Sequence, residues 1–179
     1  LSASFDITLD RSASSMAMQM MEEQFAAIDQ ANAAIMDALD KAKKNAQAGL
    51  DEIDCKSDST AVTNLTESKK NIAKAEELIR TMMSNSQASL FEELVPEMQQ
   101  LLNSKVEPAG KQADNAILTE AASRRPEVVR LIEILSEAIE SAKAFSEKVE
   151  EKKEELEKMT EMTDLADKQS ELAEKATEE

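Results

Sequence analysis

From Met18 to Ile53 the positions Met18, Met21, Phe25, Ile28, Asn32, Ile35, Leu39, Ala42, Ala46, Gly49 and Ile53 fall at alternating spacings of three and four. That stepping marks a heptad seam along one helix face, sustained for about five repeats. Leu50 stands beside Gly49, the thinnest seam position, and Asn32 is a polar seam residue of the kind that sets helix register. The pattern predicts a helix over 12–54, a rod of roughly 60 Å. Residues 1–10 instead alternate apolar and polar, which predicts an extended lead. Phe5 and Leu9 would pack on a helix end or dangle, and Ser12, Ser14 or Ser15 would supply the N-cap.

The polar run from Asp54 to Thr60 predicts a turn. A second helix follows over 60–83 on the stripe Val62, Leu65, Ile72, Ala75, Ile79 and Met82, with Lys69 as its lapse. The pattern weakens from Ser84 to Ala88. Ser89 and Glu92 then have capping-box spacing ahead of Leu94, Met98, Leu101, Leu102 and Val106, while Pro96 kinks a helix or sits in its first turn. Glu107-Pro108-Ala109-Gly110 predicts a turn, and a short helix through Ala113, Ile117 and Ala121 leads to Arg124-Arg125-Pro126.

Pro126 suits the first turn of a last helix, over 127–165. Its seam is Val128, Leu131, Leu135, Ala138, Ala142, Phe145, Val149, Lys152, Leu156, Met159, Thr163 and Ala166. Residues 166–179 are polar and are expected to fray or serve as a stalk toward a membrane. The fold class is all-α. The expected architecture is an elongated antiparallel helical bundle with two long helices, a third shorter helix along the rod, and a small helical cap made from residues 84–126. A uniform four-helix bundle is the alternative.

Composition narrows the function. Of 179 residues, 27 are Ala and 26 are Glu, with two Gly, one Cys, and no His, Trp or Tyr. Without His there is no Ser-His-Asp or Cys-His pair and no histidine-held metal. Two glycines cannot build a dinucleotide fingerprint or a phosphate loop. A net charge of -16 repels nucleic acid and anionic membrane surfaces, so neither is an expected partner. No apolar run approaches the ~20 residues of a membrane span. We expect no catalytic residue, no cofactor and no metal.

A few residues invite more specific readings. Asp51, Asp54 and Asp58 lack the spacing and glycine of a calcium loop and read as a solvated acidic face. Met16, Met18, Met20, Met21, Met36, Met82 and Met83 read as core packing or as an adaptable apolar surface. Arg124, Arg125 and Arg130 either stabilise a helix C-terminus or receive an acidic partner, and are the candidate partner contact. Asn64-Leu65-Thr66 makes Asn64 a candidate glycosylation site if the chain is secreted. Cys55 has only Lys56 as a basic neighbour and reads as a bystander.

An Ala- and Glu-rich helical rod nearly free of aromatics, with a candidate sequon and the charged stretch from Glu150 to Glu155, resembles the glutamic acid/alanine-rich surface coat proteins of African trypanosomes. The resemblance covers the whole chain but rests on composition and architecture. It implies a non-catalytic cell-surface coat protein, with a ligand-binding head, exported by a signal peptide and held by a lipid anchor outside these residues. It also implies lateral packing between copies or contact with a host ligand. The single Cys55 departs from the disulfide-bearing variant coat proteins of the same organisms. An exchangeable apolipoprotein-like lipid carrier, secreted, and an intracellular coiled-coil scaffold are the competing readings.

Overall fold

The computed structural model describes the backbone of residues 3–177 and the side chains of residues 15–177. Helix α1 spans Ala3–Asp54 and α2 spans Asp58–Ser86. A 3-10 turn, Glu92–Leu94, opens the third helix, which runs as an α-helical segment Val95–Leu101, a π-helical turn Leu102–Val106, and a second α-helical segment Glu107–Leu118. We call these three pieces together α3. A second 3-10 turn, Ala121–Ser123, leads to α4, Arg124–Thr177.

Each helix packs on two neighbours. α1 lies against α2 and α4, and α3 lies against α2 and α4 from the other side. Short connections at alternating ends make this an up-down-up-down antiparallel bundle. The all-α elongated bundle with two long helices is as expected. The division of residues 84–126 is different: most of them, 92–118, build a further helix along the rod, not a cap.

The reason lies in the expected turn at Glu107-Pro108-Ala109-Gly110, which is helical. The buried apolar positions of α3 are Leu94, Met98, Leu101, Leu102, Val106, Ala109, Ala113 and Ala116. Leu101 and Leu102 both face the core, and from Leu102 onward the apolar positions advance by four, three, four and three. The π turn begins at Leu102, with the Glu107 N–H donating to the Leu102 carbonyl, and the helix runs on through it with Val106 and Ala109 buried. Pro108 has no N–H to place, and the widened turn before it admits its ring. Gly110 lies over Ile72, where a Cβ would meet Ile72 Cγ2 at 3.7 Å, an ordinary packing distance.

The seams of α1 and α4 are buried largely where the spacing puts them. Ile35, Leu39, Ala42 and Ala46 of α1 join Val128, Leu131, Leu135, Ala138 and Ala142 of α4 in one core. In α2 the seam is Ala61, Leu65, Ser68, Ile72, Ala75, Ile79, Met82 and Ser86. The lapse at Lys69 is therefore closed by Ser68. Its hydroxyl donates to the Ala42 carbonyl at 2.7 Å, while Lys69 turns outward to pair with Asp114.

Two helix ends also differ from expectation. α1 is helical from Ala3, so the extended lead over residues 1–10 is not observed from that point on. No Gly or Pro precedes Gly49, so nothing stops the helix from propagating back from its packed part. The expected packing of Phe5 and Leu9 and the capping by Ser12 or Ser14 concern side chains outside the described residues. α4 continues to Thr177, whose hydroxyl closes the last turn on the Ala173 and Glu174 carbonyls. That tail is rich in Ala, Leu, Glu and Lys, and residues with low helical cost keep it helical.

Asn32 is buried to 2% exposure on the α1 seam, and its Oδ1 has no hydrogen-bond partner. A buried carbonyl oxygen left unmet costs about 1–3 kcal/mol. Asn32→Leu is expected to raise stability by about 1–2 kcal/mol, read as a higher urea midpoint at unchanged slope. A lower midpoint would show that the amide is meeting a bond after all.

α1 ends in a Schellman closure: Lys56 N–H donates to the Ile53 carbonyl at 3.0 Å and Ser57 N–H to the Glu52 carbonyl at 2.8 Å. The closure puts Lys56 at a φ of 61°, the left-handed region. Glycine has no Cβ to clash there, so Lys56→Gly is expected to stabilise the protein by about 1 kcal/mol. A thermal melt checks it.

Candidate functional site

The two ends of the bundle differ in chemistry. At one end the α1–α2 turn meets the α3–α4 connection, and the arginines gather there. Arg124 is 5% exposed. Its Nε donates to the Ala116 carbonyl at 2.9 Å, and its Nη2 to the carbonyls of Ile117 and Thr119 at 3.3 and 2.6 Å. Nη1 pairs with Asp58, the first residue of α2. The guanidinium thus closes the C-terminus of α3, where carbonyls lack helical partners and the helix dipole is negative. Beside it Arg125 pairs with Asp54 at 3.0 Å.

These contacts decide between the two sequence readings for Arg124: it stabilises a helix end and is not open to a partner. Arg125 is exposed but engaged, and Arg130 is exposed on α4 with no ion pair among the described residues. Asp54 and Asp58 are occupied by these arginines, and no group of three or more acidic, Cys or His residues placed to hold a metal occurs among the described residues. Gln112 adds a second tie, donating to the backbone carbonyl and the carboxylate of Glu127 at 2.9 and 2.7 Å. Cys55 is exposed in the α1–α2 turn.

Asn64 is half-buried in the second turn of α2. Its sequon partners are drawn into the helix: Leu65 lies in the core and the Thr66 hydroxyl donates to the Val62 carbonyl at 2.8 Å.

The opposite end is closed by Phe91, which is fully buried, with its ring centroid 6.4 Å from that of Phe25. Lys153 Nζ sits 4.1 Å from the centre of the Phe25 ring, a cation–π contact. Nearby, Lys152 occupies a seam position with its stem buried and its Nζ donating to Glu93 at 2.7 Å. The Glu93 hydrogen bond holds the Lys152 pKa above its usual value against the opposing effect of burial. A raised lysine pKa adds stability that is complete below the ordinary lysine value and fades as pH rises through the raised one.

Beside this end a groove of about 390 Å³ opens between α1 and α2. Met20, Ala27, Ile28, Ala31, Leu78 and Met82 supply its apolar lining, and Ser86 and Asn85 are among its polar groups. In the sequence Ser84 to Ala88 reads only as a break, which hides the groove. The available signal was a serine at a seam step after Met82, facing a part of α1 rich in alanine. Small residues at facing seam positions leave space between helices.

Toward this end α1 shows exposed Met16, Met18 and, at the groove, Met20, and α4 shows exposed Met159, Met162, Leu165 and Leu172. Some of the methionines therefore face solvent, whereas Met21 and Met82 are core. No described helix is long and apolar enough to cross a membrane. The chain matches no protein-family model, no curated protein and no solved structure.

Proposed function

We infer that this chain is a non-catalytic cell-surface coat protein, a helical rod that shields a membrane, as its resemblance to the glutamic acid/alanine-rich coat proteins of African trypanosomes implies. One observation carries the reading. α1 and α4 extend past the same end of the bundle, with α4 running on from Leu156 to Thr177, roughly 30 Å of helix. A rod held from that end projects its narrow section outward, which suits dense lateral packing. The net charge of -16 would keep neighbouring copies apart. A lipid anchor, no nucleic acid and a ligand-facing arginine end, where Arg130 is exposed, belong to the same proposal.

Labelling of intact, living cells that make the protein with a membrane-impermeant amine-reactive biotin tests it. The exposed lysines Lys41, Lys44 and Lys70 supply the reactive groups. Recovery of labelled protein from intact cells is expected. Labelling only after lysis overturns the proposal.

The coiled-coil scaffold is a second reading, favoured by the α4 extension, where Met159, Met162, Leu165 and Leu172 are between 58% and 70% exposed. Sedimentation of a monomer removes it.

A further inference from the structure

The groove between α1 and α2 has the features of a small-molecule site, and we propose that it binds an uncharged amphiphile with an aliphatic body and a single hydroxyl head. Its volume of about 390 Å³ falls within the ~300–1,000 Å³ typical of ligand pockets. Most of its lining area comes from apolar atoms. Two of its walls, Met20 and Met82, are unbranched thioethers that repack around different shapes at little cost.

The second observation is Ser86. It lines the groove at 1% exposure, and its Oγ has no hydrogen-bond partner. In a helix a serine or threonine hydroxyl can donate to the carbonyl four residues back, as Thr63, Thr66 and Ser136 do here. Ser86 does not, although its own carbonyl accepts from the Ser89 hydroxyl at 2.7 Å. A hydroxyl both donates and accepts, so a ligand hydroxyl matches it in either sense.

The lining also sets the charge of the head. Glu23 is its one ionisable residue and is exposed, and no cationic side chain lines the groove. A carboxylate ligand meets a negative wall and no positive partner. An ammonium head buried at Ser86 would meet neutral polar groups in place of its hydration shell, the Glu23 carboxylate being exposed, and losing that shell is costly. A neutral head avoids both penalties. The groove and its lining are the same whichever role the rod performs.

The test is titration of the full chain with 1-octanol, octanoate and octylamine, followed by methyl NMR of Met20 and Met82. Saturable shifts with 1-octanol, and weaker binding of both charged analogues, are expected. Ser86→Ala should weaken 1-octanol binding roughly fivefold, the size of one neutral hydrogen bond. Ala27→Leu, at an exposed lining position, should fill the groove and abolish binding while leaving the circular dichroism melt within a few degrees. No saturable shift with 1-octanol overturns the proposal. So does octanoate or octylamine binding as tightly as 1-octanol, or unchanged affinity in both variants.

Discussion

Phe91→Ala is expected to lower stability by about 3–5 kcal/mol, one of the two largest single-site effects expected in this protein. Phe91 lies between α2 and α3 and is fully buried; among the described residues only Phe145 is a second aromatic of the core, with Phe25 packed against it. Alanine supplies many of the other core positions and buries little area, so few contacts nearby can compensate. Removing the ring leaves a void at the end of the bundle, and Phe25 loses the aromatic partner 6.4 Å away. Rigid helices on either side limit collapse into that space. Phe91→Leu keeps most of the volume and should cost less than about 1.5 kcal/mol. Urea midpoints of the three proteins separate volume from aromaticity. Equal losses for Ala and Leu would show that ring geometry, not filling, holds this end.

Arg124→Met comes next, with an expected loss of about 3 kcal/mol. Methionine keeps an unbranched apolar stem but abandons the carbonyls of Ala116, Ile117 and Thr119 at a buried helix end. The contrast with Asp58 shows where the effect originates. The Asp58 side chain is 44% exposed, so water takes over its carboxylate when the pair is broken. Asp58→Asn should therefore cost under about 1 kcal/mol. Arg124→Lys keeps the charge without the planar fork and should fall between the two. If Asp58→Asn proves as damaging as Arg124→Met, the ion pair is what holds this end and the capping account is wrong.

The same arginine illustrates what a linear pattern can carry. Arg124 and Arg125 stand out by composition, and both helix capping and partner binding were consistent with the residues alone. Choosing between them required knowing that the end of α3 returns beside the start of α2, a contact that local spacing does not encode. The groove was illegible for a similar reason. Ser86 reads as a turn-forming residue until α1 is laid against α2 and its hydroxyl is found without a partner.

Helical class, the two long helices and the buried faces of α1 and α4 followed from periodicity, because a heptad step places side chains on one face whatever surrounds the helix. Residue inventory alone likewise removed histidine-based chemistry from consideration. Tertiary packing decided the rest. Glu107-Pro108-Ala109-Gly110 has the local chemistry of a turn, yet it is helical because α2 and α4 present a long apolar trough that α3 can fill only by continuing. The π turn at Leu102–Val106 widens the helix just ahead of Pro108 without ending it. Local propensity differences amount to about 1–3 kcal/mol at a glycine or proline. Burying Val106, Ala109, Ala113 and Ala116 together outweighs them, and that sum exists only once the neighbouring helices are in place.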